Sequence, residues 1–113
     1  MNKETLKGHL DALLIAAVEV RPAHGYAIIE SLRQRTGGTF DLPEGTVYPA
    51  LHRLERAGLL SSDWQNEPGT RRRRVYQVTR KGHAALAEQR QDWHAFSKGV
   101  DLVLKQELCA TTI

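Results

Sequence analysis

Gly45-Thr46-Val47-Tyr48-Pro49-Ala50-Leu51-His52-Arg53-Leu54-Glu55-Arg56-Ala57-Gly58-Leu59-Leu60 is the stretch on which the reading of this chain turns. Val47, Leu51, Leu54 and either Ala57 or Gly58 recur at steps of three and four, which gathers them on one face of a helix. Thr46, Tyr48, Pro49, His52, Arg53 and Arg56 fall on the opposite face, which is hydroxylated, aromatic and basic. Pro43-Glu44 opens the helix, because proline suits its first position and the helix dipole favours an acidic residue in its first turn. Pro49 reads as lying close enough to the start that its missing N–H has no intrahelical partner. Gly58 is placed to cap the end. Twelve residues after Gly58 comes Thr70, and Arg71, Arg72, Arg73 and Arg74 follow without a break. A short helix with such an outer face, followed by a basic hairpin, has the parts that a winged helix-turn-helix uses to dock on double-stranded DNA.

Upstream, Leu6, Leu10, Leu13, Leu14, Ala17 and Val18 predict an amphipathic helix from Leu6 to Val20. Arg21-Pro22 ends it, since a residue before proline is pushed out of the helical region. A second helix is predicted from His24 to Thr36, with Tyr26, Ile28, Ile29 and Leu32 as its apolar side and Gly37-Gly38 as its stop. Phe40 to Pro43 is a connector. Downstream, Leu59 to Trp64 and Arg73 to Thr79 predict two strands joined by a turn at Asn66-Glu67-Pro68-Gly69. Arg74, Tyr76 and Val78 share one face of the second strand, and Tyr76 and Val78 are expected to pack inward. A long fourth helix, about His83 to Leu108, carries Leu86, Trp93, Phe96, Val100 and Val103 at heptad spacing, with Gln89 as the polar exception. Three short helices and a hairpin cannot cover such a seam, so it is expected to pair with a second copy of itself. The expected fold is mainly α with a small β-hairpin. It comprises a winged helix-turn-helix over residues 1–80, a dimerisation helix over 81–108 and a tail over 109–113.

The totals agree with a small binding domain. A chain of 113 residues can bury a modest core but leaves little room for an enzyme cleft beside it. Apolar residues make up 41% and charged residues 26%, which is ordinary for a globular domain. The formal net charge is only +3, with a pI near 9.3, so distribution matters more than the sum. Arg71 to Arg74 with Arg80 and Lys81 concentrate charge in one short region, and such a patch favours a polyanion. The single cysteine, Cys109, suits a reducing cytosol. No signal-type segment is visible, and no apolar run approaches the roughly 20 residues that span a bilayer. The expected location is therefore cytoplasmic, with no membrane partner.

Several blocks of the sequence closely resemble the PadR family of transcriptional regulators. They are Gly25-Tyr26-Ala27-Ile28-Ile29, the stretch from Gly45 to Glu55, Gly58-Leu59-Leu60, and the run from Arg72 to Gly82. The Gly-Thr-x-Tyr-Pro-x-Leu-x-Arg-Leu block is the most specific of these. The length, with one C-terminal helix, resembles the short PadR subfamily. Two departures stand out. The family often has lysine and two tyrosines where this chain has Arg74-Val75-Tyr76, a swap that keeps the charge and the second aromatic. The turn Glu67-Pro68-Gly69-Thr70 lacks the usual pair of glycines. The resemblance implies a homodimer with a wing on each side, a palindromic operator, and repression as the default action. It also implies a small aromatic effector between the subunits, because several short members stack flat molecules on a tryptophan of the last helix. Trp93, eleven residues after Gly82, stands at the matching place.

On that basis Thr46, Tyr48, Pro49, His52 and Arg53 are the candidate contacts of the recognition helix. Arginine can grip guanine with two hydrogen bonds. Two roles stay open for Arg53, base reading or an ion pair with a neighbouring carboxylate, and Tyr48 can meet a phosphate or a base. Arg71, Arg72, Arg73 and Arg74 are the candidate wing contacts, but alternate strand residues face opposite ways and the register does not follow from sequence. Leu10, Leu13, Leu14, Ala17, Trp93, Phe96 and Val100 are the candidates for the dimer and effector surface. His9, His24, His52, His83 and His94 lack zinc-type spacing and read as ordinary surface histidines. Ser61, Ser62 and Asp63 form no nucleophile motif. No metal, cofactor or catalytic role is expected. The competing reading is a winged-helix module that binds a protein and lacks specific DNA affinity. An enzyme with an unrecognised site is disfavoured by the absence of any acid–base constellation.

Overall fold

The computed structural model describes residues 6, 8–66, 68–69 and 71–105. Four helices and three strands are found among them, in the order α1 (Leu10–Val20), β1 (Ala23–His24), α2 (Gly25–Arg35), α3 (Glu44–Arg56), β2 (Leu60–Gln65), β3 (Arg73–Val78) and α4 (Arg80–Leu104). The residues Glu67, Thr70 and Cys109, the end of the predicted fourth helix at 106–108, and the tail lie outside the described residues.

The core is built where the helical periodicity said it would be, with shifts. Leu14, Ile15, Ala17 and Val18 of α1 meet Ile28, Ile29 and Leu32 of α2, and Val47, Ala50, Leu51 and Leu54 of α3. Leu60 and Tyr76 close it from the sheet, and Leu86 closes it from α4. Tyr26, expected on the apolar side of α2, is 58% exposed. It occupies the second position of its helix, one turn ahead of Ile29, where the core no longer reaches. Leu86 was expected in a seam between two copies, but it is 2% exposed within a single chain.

Both glycine stops work as read. Gly37 at φ 59° and Gly58 at φ 79° take the left-handed conformation just past α2 and α3, where a side chain would be strained. At Gly58 the chain reverses through two backbone bonds, Gly58 N–H to the Glu55 carbonyl and Leu59 N–H to the Leu54 carbonyl, each 3.0 Å. Pro49 departs from expectation. It is the sixth residue of α3, so the Gly45 carbonyl loses a bond that any other residue at 49 would supply. Interior proline costs about 3 kcal/mol. Full burial of Val47, Leu51 and Leu54, at roughly 1.5–3 kcal/mol each, outweighs it and keeps the helix continuous.

The sheet is antiparallel in the order β1-β3-β2. β2 and β3 form the predicted hairpin, with Leu60 opposite Val78, Ser62 opposite Tyr76 and Trp64 opposite Arg74. β1 is an addition: Ala23 pairs with Tyr76 and His24 with Val75. Two residues carry no periodicity, so this strand left no pattern in the sequence. α4 begins at Arg80, three residues earlier than expected, because Thr79 caps it by accepting the Gly82 N–H at 3.0 Å. The same hydroxyl donates to the Gly58 carbonyl at 2.6 Å, which ties the end of α3 to the start of α4. Gly82 is required here: a Cβ would run into the Leu59 carbonyl oxygen and Val78.

Candidate nucleic-acid interface

α3 presents its outer face next to the hairpin. Pro49, His52 and Arg53 are exposed, and Thr46 and Tyr48 are half-buried. The Tyr48 ring lies directly over Gly25, where an added Cβ would stand 2.5 Å from Cε1 and 2.8 Å from the hydroxyl oxygen. A side chain at 25 would therefore displace the ring. That close approach seats the Tyr48 ring of α3 on the first residue of α2.

The arginines of the wing divide by strand geometry. Arg72 and Arg74 lie over the Trp64 ring, with their guanidinium carbons 4.5 and 5.3 Å from its centroid. Each such contact is worth about 0.5–1 kcal/mol at an exposed site and holds the side chains in an extended row. Arg74 is committed further: it donates to the Ser62 hydroxyl at 2.7 Å and to the Glu55 carboxylate at 3.1 Å. Ser62 in turn donates to Glu55 at 2.6 Å. The Ser62 hydroxyl, and then Arg74, hold the Glu55 carboxyl below its ordinary range. Arg74 thus braces the wing onto α3. Arg73 points the other way and reaches the His24 ring, NH1 to Nε2 at 3.0 Å. Arg71 and Arg72 are exposed. Between α3 and the wing, all four arginines line a concave groove of about 540 Å³ together with Tyr48 and His52.

Arg53 takes the ion-pair role. Its two terminal nitrogens meet the Asp11 carboxylate of α1 at 2.7 and 2.9 Å. Lys81, read as part of the basic region, donates to the Ala57 carbonyl at 2.9 Å and so closes the C-terminal end of α3. Sequence reasoning missed three specific histidines. His24 caps α2 through Nδ1, which accepts the Ala27 N–H at 3.3 Å. His83 lies 3.1 Å from Glu19. His9 meets Trp93 edge-on, with ring centroids 5.0 Å apart. Histidine is a rare helix cap, so no composition rule would have found the first.

A second surface lies away from the groove. Leu13, Ala16, Phe40, Leu86 and Trp93 line an apolar cleft of about 400 Å³ between α1 and α4, with His9 and Arg90 also on its walls. The expected effector surface therefore needs correction. Leu13 and Trp93 line the cleft, whereas Leu14 and Ala17 are 0% and 4% exposed in the core and offer it no wall. Leu10 packs half-buried against the core. Phe96 does not line the cleft but adjoins Trp93, with ring centroids 6.1 Å apart, and with Val100 it begins an apolar strip that continues along α4 through Val103 and Leu104. Phe40 read as a connector residue and gave no signal of this role. Among the described residues, no group of three or more His, Cys, Asp or Glu could hold a metal ion, and no helix is long and apolar enough to cross a membrane.

Three packed helices, the third with an aromatic and basic outer face, and a basic hairpin beside it define a winged helix-turn-helix protein. A model of the transcriptional regulator PadR-like family matches residues 13–88. The chain belongs to that family of DNA-binding transcriptional regulators, which is not an enzyme family. It is 34% identical to a PadR family transcriptional regulator from Eggerthella lenta DSM 2243, with a TM-score of 0.79 over 92% of this chain and 88% of that one. It also shares the fold of a transcriptional regulator from Clostridium thermocellum, with a TM-score of 0.84 at 24% identity over 93% and 99% of the two chains. Over 46 residues it is 56% identical to the transcriptional regulator Rv3488 of Mycobacterium tuberculosis, a match that spans 41% of this chain and 42% of that protein.

Proposed function

We propose that this regulator is a cytoplasmic homodimeric repressor of a palindromic operator, and that a small aromatic effector at the dimer interface releases it. The observation that carries the DNA reading is the groove lined by Arg71 to Arg74 of the wing together with Tyr48 and His52 of α3. In the proposed complex Thr46, Tyr48, Pro49, His52 and Arg53 meet the major groove, and the wing arginines neutralise phosphates. Arg53 must leave Asp11 to reach a base. An exposed ion pair is worth about 0–1 kcal/mol, and a bidentate contact to guanine about 1–3 kcal/mol, so the exchange is downhill at a matching base.

The homodimer reading is supported by the far end of α4. Phe96, Leu102, Val103 and Leu104 are 62–83% exposed, and a second copy of the same helix would cover them. Helix α4 then sets the spacing of two recognition helices, which must suit half-sites one helical turn, about 34–36 Å, apart. The effector reading rests on the cleft beside Trp93. An aromatic molecule there changes operator affinity only if it binds the two spacings unequally.

The test is an anisotropy titration of the full chain on its own upstream DNA and on a scrambled duplex of equal length, near physiological salt. Submicromolar binding with about a hundredfold preference for the native duplex is expected. Equal, weak binding to both, and to duplexes selected from a random pool, would favour a module that binds a protein instead.

A further inference from the structure

His24 faces more donors than it can accept. An imidazole that is neutral has one lone pair and one N–H. Nδ1 accepts the Ala27 N–H at 3.3 Å, which puts the ring proton on Nε2. Nε2 lies 3.0 Å from NH1 of Arg73, and a guanidinium can only donate. Two donors therefore point at each other. The other tautomer moves the conflict without removing it: Nε2 would accept from Arg73, and Nδ1–H would then face the Ala27 amide. Protonation leaves no lone pair at all. Burial, and then the Arg73 charge, push the imidazole below its ordinary range, so the ring stays neutral near pH 7.

What the pair lacks is an acceptor that both donors can share. The site lies on the rim of the groove between α3 and the wing, which His24 and Arg73 both line. Tyr26 stands beside it, exposed, its ring nearly parallel to the imidazole at 16° with centroids 6.5 Å apart. Water can accept from both groups. A phosphate oxygen does so while bringing negative charge to Arg73, and charge-assisted hydrogen bonds are about twice as strong as neutral ones.

We infer that His24 and Arg73 form a two-donor clamp for one phosphodiester oxygen of duplex DNA, and that Tyr26 flanks it. This adds the first turn of α2 to the footprint of α3 and the wing, and it rests on the DNA-binding reading above. The contact carries no base information, so it sets register and affinity and leaves sequence preference unchanged.

The experiment compares the full chain with His24→Ser, Arg73→Gln and the double variant on the upstream and scrambled duplexes, across a salt series. Serine keeps the helix cap and removes the outward donor. His24→Ser is expected to weaken binding to both duplexes about tenfold, the scale of one hydrogen bond to a charged group, with the preference between them intact. Arg73→Gln is expected to weaken both and to lower the salt slope by about 0.9. The double variant is expected to lose less than the product of the two single losses, because both groups serve one phosphate. Side-chain nitrogen NMR of the wild type gives a readout independent of any variant: the His24 Nε2–H tautomer in the free protein, with its Nε2 resonance moving when duplex is added. Unchanged affinity in His24→Ser, fully multiplicative losses, or a still Nε2 resonance would overturn the clamp while leaving the repressor reading in place. A wild-type chain without measurable affinity for either duplex would overturn both.

Discussion

The two ends of α4 follow opposite rules although they belong to one continuous helix. Its first two turns are locked into the domain. Thr79 caps them, Gly82 packs against the Leu59 carbonyl, and Leu86 is buried in the core. Its last turns carry Phe96, Leu102, Val103 and Leu104 into the open. Residue type does not distinguish the ends, since both are apolar at heptad spacing. What differs is whether the same chain supplies a cover. Apolar periodicity shows that a face will be buried and is silent about which molecule buries it.

The contrast can be broken most forcefully at the locked end. Leu86→Ala is expected to destabilise the fold by about 2–5 kcal/mol, read as a lowered midpoint in urea unfolding. A shift under about 0.5 kcal/mol would mean that Leu86 is not a core residue. Gly82→Ala comes next, at about 1–3 kcal/mol, since the added methyl must push the α3–β2 turn away from α4. Thermal melting followed by circular dichroism would detect it. At the open end, Phe96→Glu with Val103→Glu is expected to leave the fold of one chain within about 0.5 kcal/mol, yet to convert dimer to monomer in sedimentation. Unfolding of this variant should also lose its dependence on protein concentration.

The smallest expected effect lies at the junction between the two ends, where Glu19 of α1 accepts from Arg90 at 2.8 Å and meets His83 at 3.1 Å. Arg90 first, and then His83, hold the Glu19 carboxyl below its ordinary value of 4.5. A carboxyl whose value is lower in the folded state contributes stability above its unfolded value. That contribution is present in full above about pH 4.5 and fades as pH falls through the folded value. Solvent screening limits it to under about 1 kcal/mol. Glu19→Gln should flatten the acid limb of the melting curve; a variant with an unchanged limb would show that the contact contributes nothing.

Much of this was legible in the sequence, and the exceptions share a cause. α3, its glycine stop and the hairpin could be read because each is set by neighbours three, four or two positions away. Long-range partners could not. Asp11 holds Arg53 across 42 residues of chain, and Phe40 reaches Trp93's cleft from a connector. β1 forms only because β3 exposes an edge to it. The start of α3 at Pro43-Glu44 is legible in the sequence, and it places Pro49 sixth in the helix, beyond the first turn in which a missing N–H has no partner to lose. The contact of His24 with Arg73 spans 49 residues of chain and leaves no local pattern.

The contact between Gly25 and Tyr48 has a consequence for how relatives of this chain can drift. Position 25 is not independent of position 48. An alanine at 25 forces the far end of the Tyr48 side chain to move, whereas a small residue at 48 removes the atoms that a Cβ at 25 would meet. The constraint on position 25 is therefore written 23 residues away, at position 48. A lineage that loses the aromatic should therefore be free to lose the glycine as well, and one that keeps the aromatic should keep both.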